Sequence, residues 1–351
     1  MIVTYNSAAH VGETLGAVER QMRADDELIV VDNASSDDTR SVVREATARV
    51  RLLGQERNLG FAGGCNAGVA AVSAPLVLLL NPDAEPAPGC LDVLRETASE
   101  RPDWGAWQPL VTMDGGRAIN TSGGVTHFLG LGWAGRCEEP LETAPDQPAE
   151  IDFASGAALC VRREAWERVG KFDERYFMYG EDLDLGLRLW LSGYGVGIVP
   201  AARVRHDYSF AKGERKWFLL ERNRWWTVLS DYPTKLLLLL MPALLATEVV
   251  LLGVAARGGW LGAKLRAQAA VLRQLPQILE RRRAVQARAV VGAASLAARL
   301  SADLDNPYLG ALARFRPAVV SQRLYWRLVL ALLGRDGDQS SAEAPSPVAR
   351  S

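Results

Sequence analysis

Short apolar runs alternate with stretches of helical spacing over the first two hundred residues. Residues 2–5 (Ile-Val-Thr-Tyr) read as a short strand, and residues 9–22 repeat apolar positions every three to four residues, as a helix does. Residues 27–32 form a second strand that closes on Asp32. Residues 37–50 read as a helix opened by the capping-type Ser35, Ser36 and Asp37. Residues 51–53 make a third short strand, and residues 76–80 (Leu-Val-Leu-Leu-Leu) a continuous apolar one, as a central parallel strand requires. This rhythm predicts a mostly parallel sheet with helices on both faces.

Residues 113–150 break the pattern with Gly115-Gly116, Gly123-Gly124 and a Pro/Glu-rich stretch, and read as an irregular insertion or lid. Regular structure resumes at Ile151. From 181, Leu183, Leu187, Trp190 and Leu191 share one helical face. Beyond Tyr232-Pro233 the chain turns Leu/Ala/Arg-rich and is expected to be helical to about Leu333, with a disordered tail after it. There is no internal repeat. Met1 runs straight into strand-like residues with no basic-apolar leader, so the true N-terminus is expected upstream.

Ligands of open parallel sheets bind at the carboxyl ends of the strands. Four successive strand ends here carry Thr4-Tyr5-Asn6, Asp32-Asn33-Ala34-Ser35, the turn from Asn58 to Gly68, and Asn81-Pro82-Asp83. Any one could be a helix cap; four on one edge point to a polar ligand. The glycine turn has neither Gly-x-Gly-x-x-Gly nor Gly-Lys-Ser/Thr, which disfavours dinucleotide and P-loop chemistry. Gly63 and Gly64 would allow backbone to approach a ligand closely. Asp83, at the end of a rigid Asn-Pro-Asp turn, suits a hard divalent cation bridged by phosphate. A second cluster, Gly180-Glu181-Asp182-Leu183-Asp184, places carboxylates in the first turn of a helix, where one could serve as a general base. Asp184 and Arg188 fit an ordinary i, i+4 pair. His206, one of three histidines, is either structural or a metal ligand.

At these residues the sequence resembles the family 2 glycosyltransferases, in their rhamnosyltransferase-like branch. The matching stretches span roughly residues 1–210 in family order. The resemblance implies a GT-A nucleotide-diphospho-sugar transferase fold, an αβα sandwich, here with an all-helical C-terminal appendage. It implies residues 1–232 as the catalytic domain, with nucleotide-sugar binding to about 110 and the acceptor side over about 111–210. Residues 233–334 would form the helical region, and 335–351 the tail. It further implies inverting transfer from a dTDP-, UDP- or GDP-sugar, first of all dTDP-rhamnose, to a glycan or lipid-linked acceptor, assisted by Mg²⁺ or Mn²⁺. Thr4, Tyr5, Asn6 and Asp32 would line the base and ribose. Asn58, Gly63 and Asn66 would border the ribose and diphosphate. Asn81 and Asp83 would stand in the family's Asp-x-Asp, with His206 as a second metal ligand. Asp182 would be the base, and Glu181 would orient the acceptor. Many relatives carry Arg where Cys65 stands; Arg222 or Arg224 would have to replace that phosphate contact. A sugar-phosphate nucleotidyltransferase and a non-catalytic nucleotide-sugar-binding partner of an assembly complex are the alternatives.

Composition sharpens the picture at two points. The 351 residues are 48% hydrophobic and 23% charged with a formal net charge of -1, which excludes a disordered chain or a multi-span channel and gives no sign of a nucleic-acid partner. Cys65, Cys90, Cys137 and Cys160 have no Cys-x-x-Cys spacing and are expected to be reduced. The near-zero charge hides an asymmetry: residues 257–299 hold nine basic residues against Glu280 alone, +8, leaving -9 elsewhere. Just before them, residues 236–256 are 17 of 21 apolar. Pro242, Glu248 and the basic block after them argue against a single span with cytosolic catalysis. An interfacial or re-entrant segment with basic helices on anionic lipid is expected, on the cytoplasmic face of the membrane. The alternative is a soluble helical subdomain.

Overall fold

The computed structural model describes residues 1–207, 213–304 and 316–340. Four strands, β1 (Ile2–Thr4), β2 (Leu28–Asp32), β3 (Val50–Gly54) and β4 (Leu76–Leu80), form a parallel block in the order β3-β2-β1-β4. Helices α1 (Val11–Glu19), α2 (Thr39–Ala46) and α3 (Gly60–Ala70) make the crossovers. After β5 (Ala84–Pro86) and α4 (Cys90–Glu100), the ten-residue β6 (Trp104–Met113) joins the same sheet. It is separated from β4 by β11 (Ala158–Arg162), which runs antiparallel to both. The twelve-residue β12 (Gly195–His206) lies parallel to β6. Helices α5 (Arg163–Val169) and α6 (Glu181–Leu191) sit between β11 and β12 in the chain.

One apolar cluster joins the sheet to α3, α5, α6 and the C-terminal helices; another joins its opposite face to α1, α2 and α4. A sheet buried on both sides explains why strands such as β2 are apolar at every position but the last. The mostly parallel αβα sandwich expected from the sequence is present, with a helical C-terminal region.

Residues 113–150 are more regular than their composition suggests. Strand β7 (Ala118–Thr121) pairs back on β6, β8 (Gly124–Thr126) and β9 (Gly132–Ala134) form a separate two-stranded sheet, and β10 (Ala149–Glu150) edges β12. These strands are too short for a periodic signal, and their pairing is with distant partners.

The helical region begins before the change of composition. Helix α7 (Glu214–Asp231) precedes Pro233, and α8 (Thr234–Arg257), α9 (Leu261–Arg273), α10 (Leu275–Arg288), α11 (Ala293–Ala297) and α12 (Arg316–Ser340) follow. Helix α12 runs into the stretch expected to be a disordered tail; residues 341–351 lie outside those described. Leu236, Leu240 and Leu244 of α8 pack into the main core. Glu248, the acid that counted against a membrane span, pairs with Arg224 and with Lys264 (2.9 Å), and accepts from Gln268 (2.7 Å). The basic block is partly turned inward: Lys264 is fully buried and Arg281 nearly so, whereas Arg266 and Arg299 pair with Glu214 and Glu150 at the surface. The lipid-facing reading of the block gives way at Lys264 and Arg281. Tertiary contacts pair them with acids that lie far off in sequence.

Candidate active site

The ends of β1 and β2 form the first wall. Register pairs Thr4 with Asp32, and Thr4 Oγ1 donates to Asp32 Oδ1 at 3.3 Å. Asp32 is completely buried and also accepts from the Ser35 amide and from Arg40 Nε (2.5 Å). Burial opposes its charge, but the bonds from Ser35 and Arg40 outweigh it and hold the carboxyl below its usual range. Its lone pairs are therefore committed within the protein. The open groups of this wall are Tyr5, 53% exposed, and Asn6, which holds a positive φ of 53° and is tied to Ser35 and Ser36. Ser35 and Asp37 cross-link to the amides of Asn6 and Ala8, and Asp37 also accepts the Thr39 amide (3.1 Å) at the first residue of α2, in keeping with its reading as a cap.

The glycine turn folds for packing more than for ligand approach. Asn58 Oδ1 accepts the Gly60 amide at 2.8 Å. A Cβ at Gly64 would stand 2.6 Å from Val3, so this glycine lets α3 lie on β1, while one at Gly63 would stand 2.8 Å from the side chain of Leu59 at the start of α3. A Cβ at Gly60 would stand 2.3 Å from the carbonyl of Phe177, whose oxygen already accepts the Ala62 amide. Asn66 spends its amide on the backbone of Phe172 and on Glu174. Cys65 is buried in the core, and none of the four cysteines is in a disulfide. Asn33, which sequence reasoning passed over as a site residue, bonds the Gly60 carbonyl and joins the two walls.

Asp83 and His206, 123 positions apart, meet because β5 pairs with β12 and sets Ala84 opposite His206. His206 Nε2 lies 3.2 Å from Asp83 Oδ1 and 3.4 Å from Asn81 Nδ2. The Asp83 side chain is 41% exposed. A partly exposed carboxylate and the imidazole nitrogen beside it could together hold a divalent cation whose other ligands come from phosphate oxygens. Among the described residues no three His, Cys, Asp or Glu side chains cluster to hold a metal unaided. Asn120 of the insertion bonds the His206 carbonyl, a contact no sequence signal announced.

The second carboxylate cluster opens α6. Gly180, at φ 83°, ends a turn in which Phe177 (φ 64°) and Tyr179 (φ 71°) also hold positive φ. Such non-glycine conformations cost roughly 1–3 kcal/mol each and persist only where surroundings impose them. Asp182 is half-buried and accepts the amides of Gly156 (3.1 Å) and Leu183 (2.8 Å). Glu181 is buried, and its Oε2 finds no partner among the described residues. Burial, and then the Asp182 charge, push the Glu181 carboxyl well above the usual carboxylate range. Burial also raises Asp182, against the two amides that favour its charged form. Burial thus biases both carboxyls toward the neutral form, and Asp182 is the one of the two whose charged form is favoured by two backbone amides.

Asp184 and Arg188 form the expected i, i+4 pair at 2.5 Å, wholly buried. Of the two arginines suggested for a phosphate contact, Arg224 is committed within the protein, buried against Glu248, Glu221 and the Leu129 carbonyl. Arg222 is half-buried and donates through Nη2 to the carbonyls of Arg175 and Tyr176. Cations that do flank the strained turn are Arg215, 4.6 Å from the Phe177 ring centre, and Lys216, 5.1 Å from that of Tyr179.

Residues 1–166 match the family model described as Glycosyl transferase family 2. The chain is 33% identical over 236 residues to an N-acetylglucosaminyl-diphospho-decaprenol L-rhamnosyltransferase of Mycobacterium tuberculosis, covering 60% of this chain and 76% of the relative. Its fold is similar to that of GalNAc-T7, solved with UDP, GalNAc and Mn²⁺ (TM-score 0.52, 16% identity, 66% of this chain and 47% of that one). It is also similar to the Pyrobaculum calidifontis mannosyltransferase PcManGT, solved with GDP-Man and Mn²⁺ (TM-score 0.50, 19% identity, 94% and 84%).

Proposed function

Because the chain belongs to glycosyl transferase family 2 and is a glycosyltransferase, not a sugar-phosphate nucleotidyltransferase or a non-catalytic binding partner, we propose that it transfers rhamnose from dTDP-rhamnose to a lipid-linked or polysaccharide acceptor with inversion. The observation that carries this is the pair at the start of α6: Asp182 held by two backbone amides beside a buried Glu181 whose Oε2 has no partner among the described residues. Asp182 accepts the proton of the acceptor hydroxyl as its oxygen attacks the anomeric carbon. Glu181, beside it in the same first turn, orients the acceptor by a hydrogen bond. Tyr5 and Asn6 are the open groups for base and ribose; Asp32 contributes by fixing the Thr4 and Ser35 walls around them. Asn58 and Gly63 shape the turn on the diphosphate side, and Asn66 holds the 172–174 segment against it. Asp83 and His206 would hold Mg²⁺ or Mn²⁺, which neutralises charge on the departing diphosphate when bound. The rhamnosyltransferase relative supports rhamnose as the sugar and a lipid diphosphate as acceptor.

The partner on the helical side is a membrane surface at the cytosolic face. Among the described residues α8 is the one helix long and apolar enough to cross a bilayer, with mean hydropathy 2.3 and 22% of that window buried. One face packs inward through Leu236, Leu240 and Leu244, while Leu238, Leu245, Val249 and Val250 are exposed on another. Helix α12, tied to α8 by Tyr325 Oη to the Leu239 carbonyl (2.5 Å), exposes Val320, Leu324 and Leu328. Glu248 anchors α8 to the protein, so we place the helix in the interface and not across it.

The experiment is transfer from dTDP-rhamnose to polyprenyl-diphospho-N-acetylglucosamine with Mn²⁺, beside UDP- and GDP-sugars as donors. Rhamnose in the product, lost on chelation, is expected. Transfer from another donor alone would replace the sugar assignment, and no thermal stabilisation by any nucleotide diphosphate would overturn the reading.

A further inference from the structure

The turn that precedes α6 is held from outside itself. Asn223 Nδ2 of α7 lies within hydrogen-bond distance of three of its carbonyls, Tyr176 (3.1 Å), Met178 (3.0 Å) and Tyr179 (2.7 Å). Its neighbour Arg222 donates to the carbonyls of Arg175 and Tyr176. The two ends of the same segment are joined by one guanidinium from α10. Arg281 Nε meets Asp173 Oδ2 at 2.8 Å, where the segment begins, and Nη2 meets Asp184, two residues past Asp182. Its third nitrogen reaches Asp231 of α7 at 2.9 Å and Ser230. The Arg281 side chain is 7% exposed, so this cation faces the interior with every arm engaged.

We propose that Asn223 and Arg281 are positioning residues for sugar transfer: together they hold residues 173–184 in the strained form that aims Glu181 and Asp182 at the acceptor. The inference rests on Asp182 being the base. Two non-glycine residues at positive φ stand in this segment, and without outside bonds it would relax toward ordinary backbone angles. Relaxation would turn the first residues of α6, and a small misplacement of a reacting group costs far more rate than binding. The donor walls on β1, β2 and the β4–β5 turn make none of these bonds, and only the glycine turn touches the segment, through the Ala62 amide on the Phe177 carbonyl and Asn66 on Phe172 and Glu174. Loss of the brace is therefore expected to fall on transfer more than on donor binding. It also makes the helical region part of the active site and not merely an attachment.

The test uses the full chain with Arg281→Lys, which keeps the charge but cannot reach three carboxylates at once, and Asn223→Ser, which changes no charge. Both are expected to lower kcat for rhamnose transfer about 10- to 100-fold, with KM for dTDP-rhamnose within about threefold of the parent. Amide hydrogen exchange at 174–183 should quicken in both, with or without turnover. If Arg281→Lys does not fold, Asn223→Ser carries the test. Parent-like kcat and exchange in a folded Asn223→Ser overturns the brace, as does a parallel loss of donor binding and kcat. Asp182→Asn in the same assay keeps the two readings apart. Parent-like turnover there removes the base assignment, whereas an inactive Asp182→Asn beside parent-like brace variants removes the brace alone.

Discussion

The donor edge and the turn before α6 both gather acids at one end of the sheet, but they are built in opposite ways. The donor edge is assembled from tight turns at consecutive strand ends, and its bonds run between neighbours in the parallel block: Thr4 to Asp32, Asn6 to Ser35 and Ser36, Asn33 to Gly60. The α6 turn carries its own strain and is tied by α7 and α10, with Arg281 97 positions beyond Asp184. The first rests mainly on the parallel sheet, with His206 of β12 brought to Asp83 and residues 172–177 set against its glycine turn. The second needs the helical region. The difference locates where damage should spread: mutations of the helices should reach the acceptor chemistry and spare the donor edge.

The sharpest way to press that contrast is Asp182→Asn. General-base removal costs about 10³-fold, or about 4 kcal/mol of transition-state stabilisation. We expect that loss in kcat, with nucleotide binding by calorimetry unchanged. Glu248→Ala then asks whether any buried charge in the helices acts like Arg281. It leaves the buried Arg224 and Lys264 to share Glu221 alone, and chemical denaturation should show about 3 kcal/mol lost. Below its melting range the variant should keep the parent KM for donor; a selective fall in kcat would blur the distinction between the two clusters.

A pH titration gives a third test, from the insertion side. His127 is fully buried, accepts the Leu129 amide at Nδ1, and is pulled down to about 4 by desolvation. A depressed base binds its proton in the unfolded chain first. Its contribution is therefore complete above about pH 6.5 and is lost as pH falls toward 4. The parent should lose about 3 kcal/mol more stability across that window than His127→Gln, read by denaturant melts. Equal losses would remove His127 as the titrating group. The smallest effect expected is at the lipid face: Leu238→Ser with Val249→Ser should weaken sedimentation with anionic phosphatidylglycerol vesicles about tenfold and leave transfer to a soluble acceptor alone. Unchanged sedimentation would take α8 off the membrane.

Much of the donor edge was legible before folding was considered. Apolar runs located β1, β2 and β4, and the polar residues after each are the strand-end residues found in space. Roles within the edge were less legible. Asp32, Gly63 and Asn66 read as ligand contacts, yet the protein's own groups occupy the first and third and close packing explains the second. Polar residues and glycines serve internal packing and ligand contact with the same chemistry, and a sequence does not say which partner comes first. The α8 acid is the converse. As a sequence feature Glu248 counted against a membrane span, and its reason, a buried pairing with Arg224 and Lys264, lies on two other helices.

By itself the sequence determined the alternation of strand and helix, the parallel sheet, the polar edge with its Asn-Pro-Asp turn, and the carboxylates that open α6. Each depends on spacing within one element, where periodicity and turn chemistry act over a few residues. Tertiary structure alone decided that His206 stands 3.2 Å from Asp83, that Glu181 is buried without a partner while Asp182 is held by amides, and that α7 and α10 fix the turn between them. Those facts depend on desolvation and on hydrogen bonds between segments tens to more than a hundred residues apart, and such terms exist only once the chain has closed on itself.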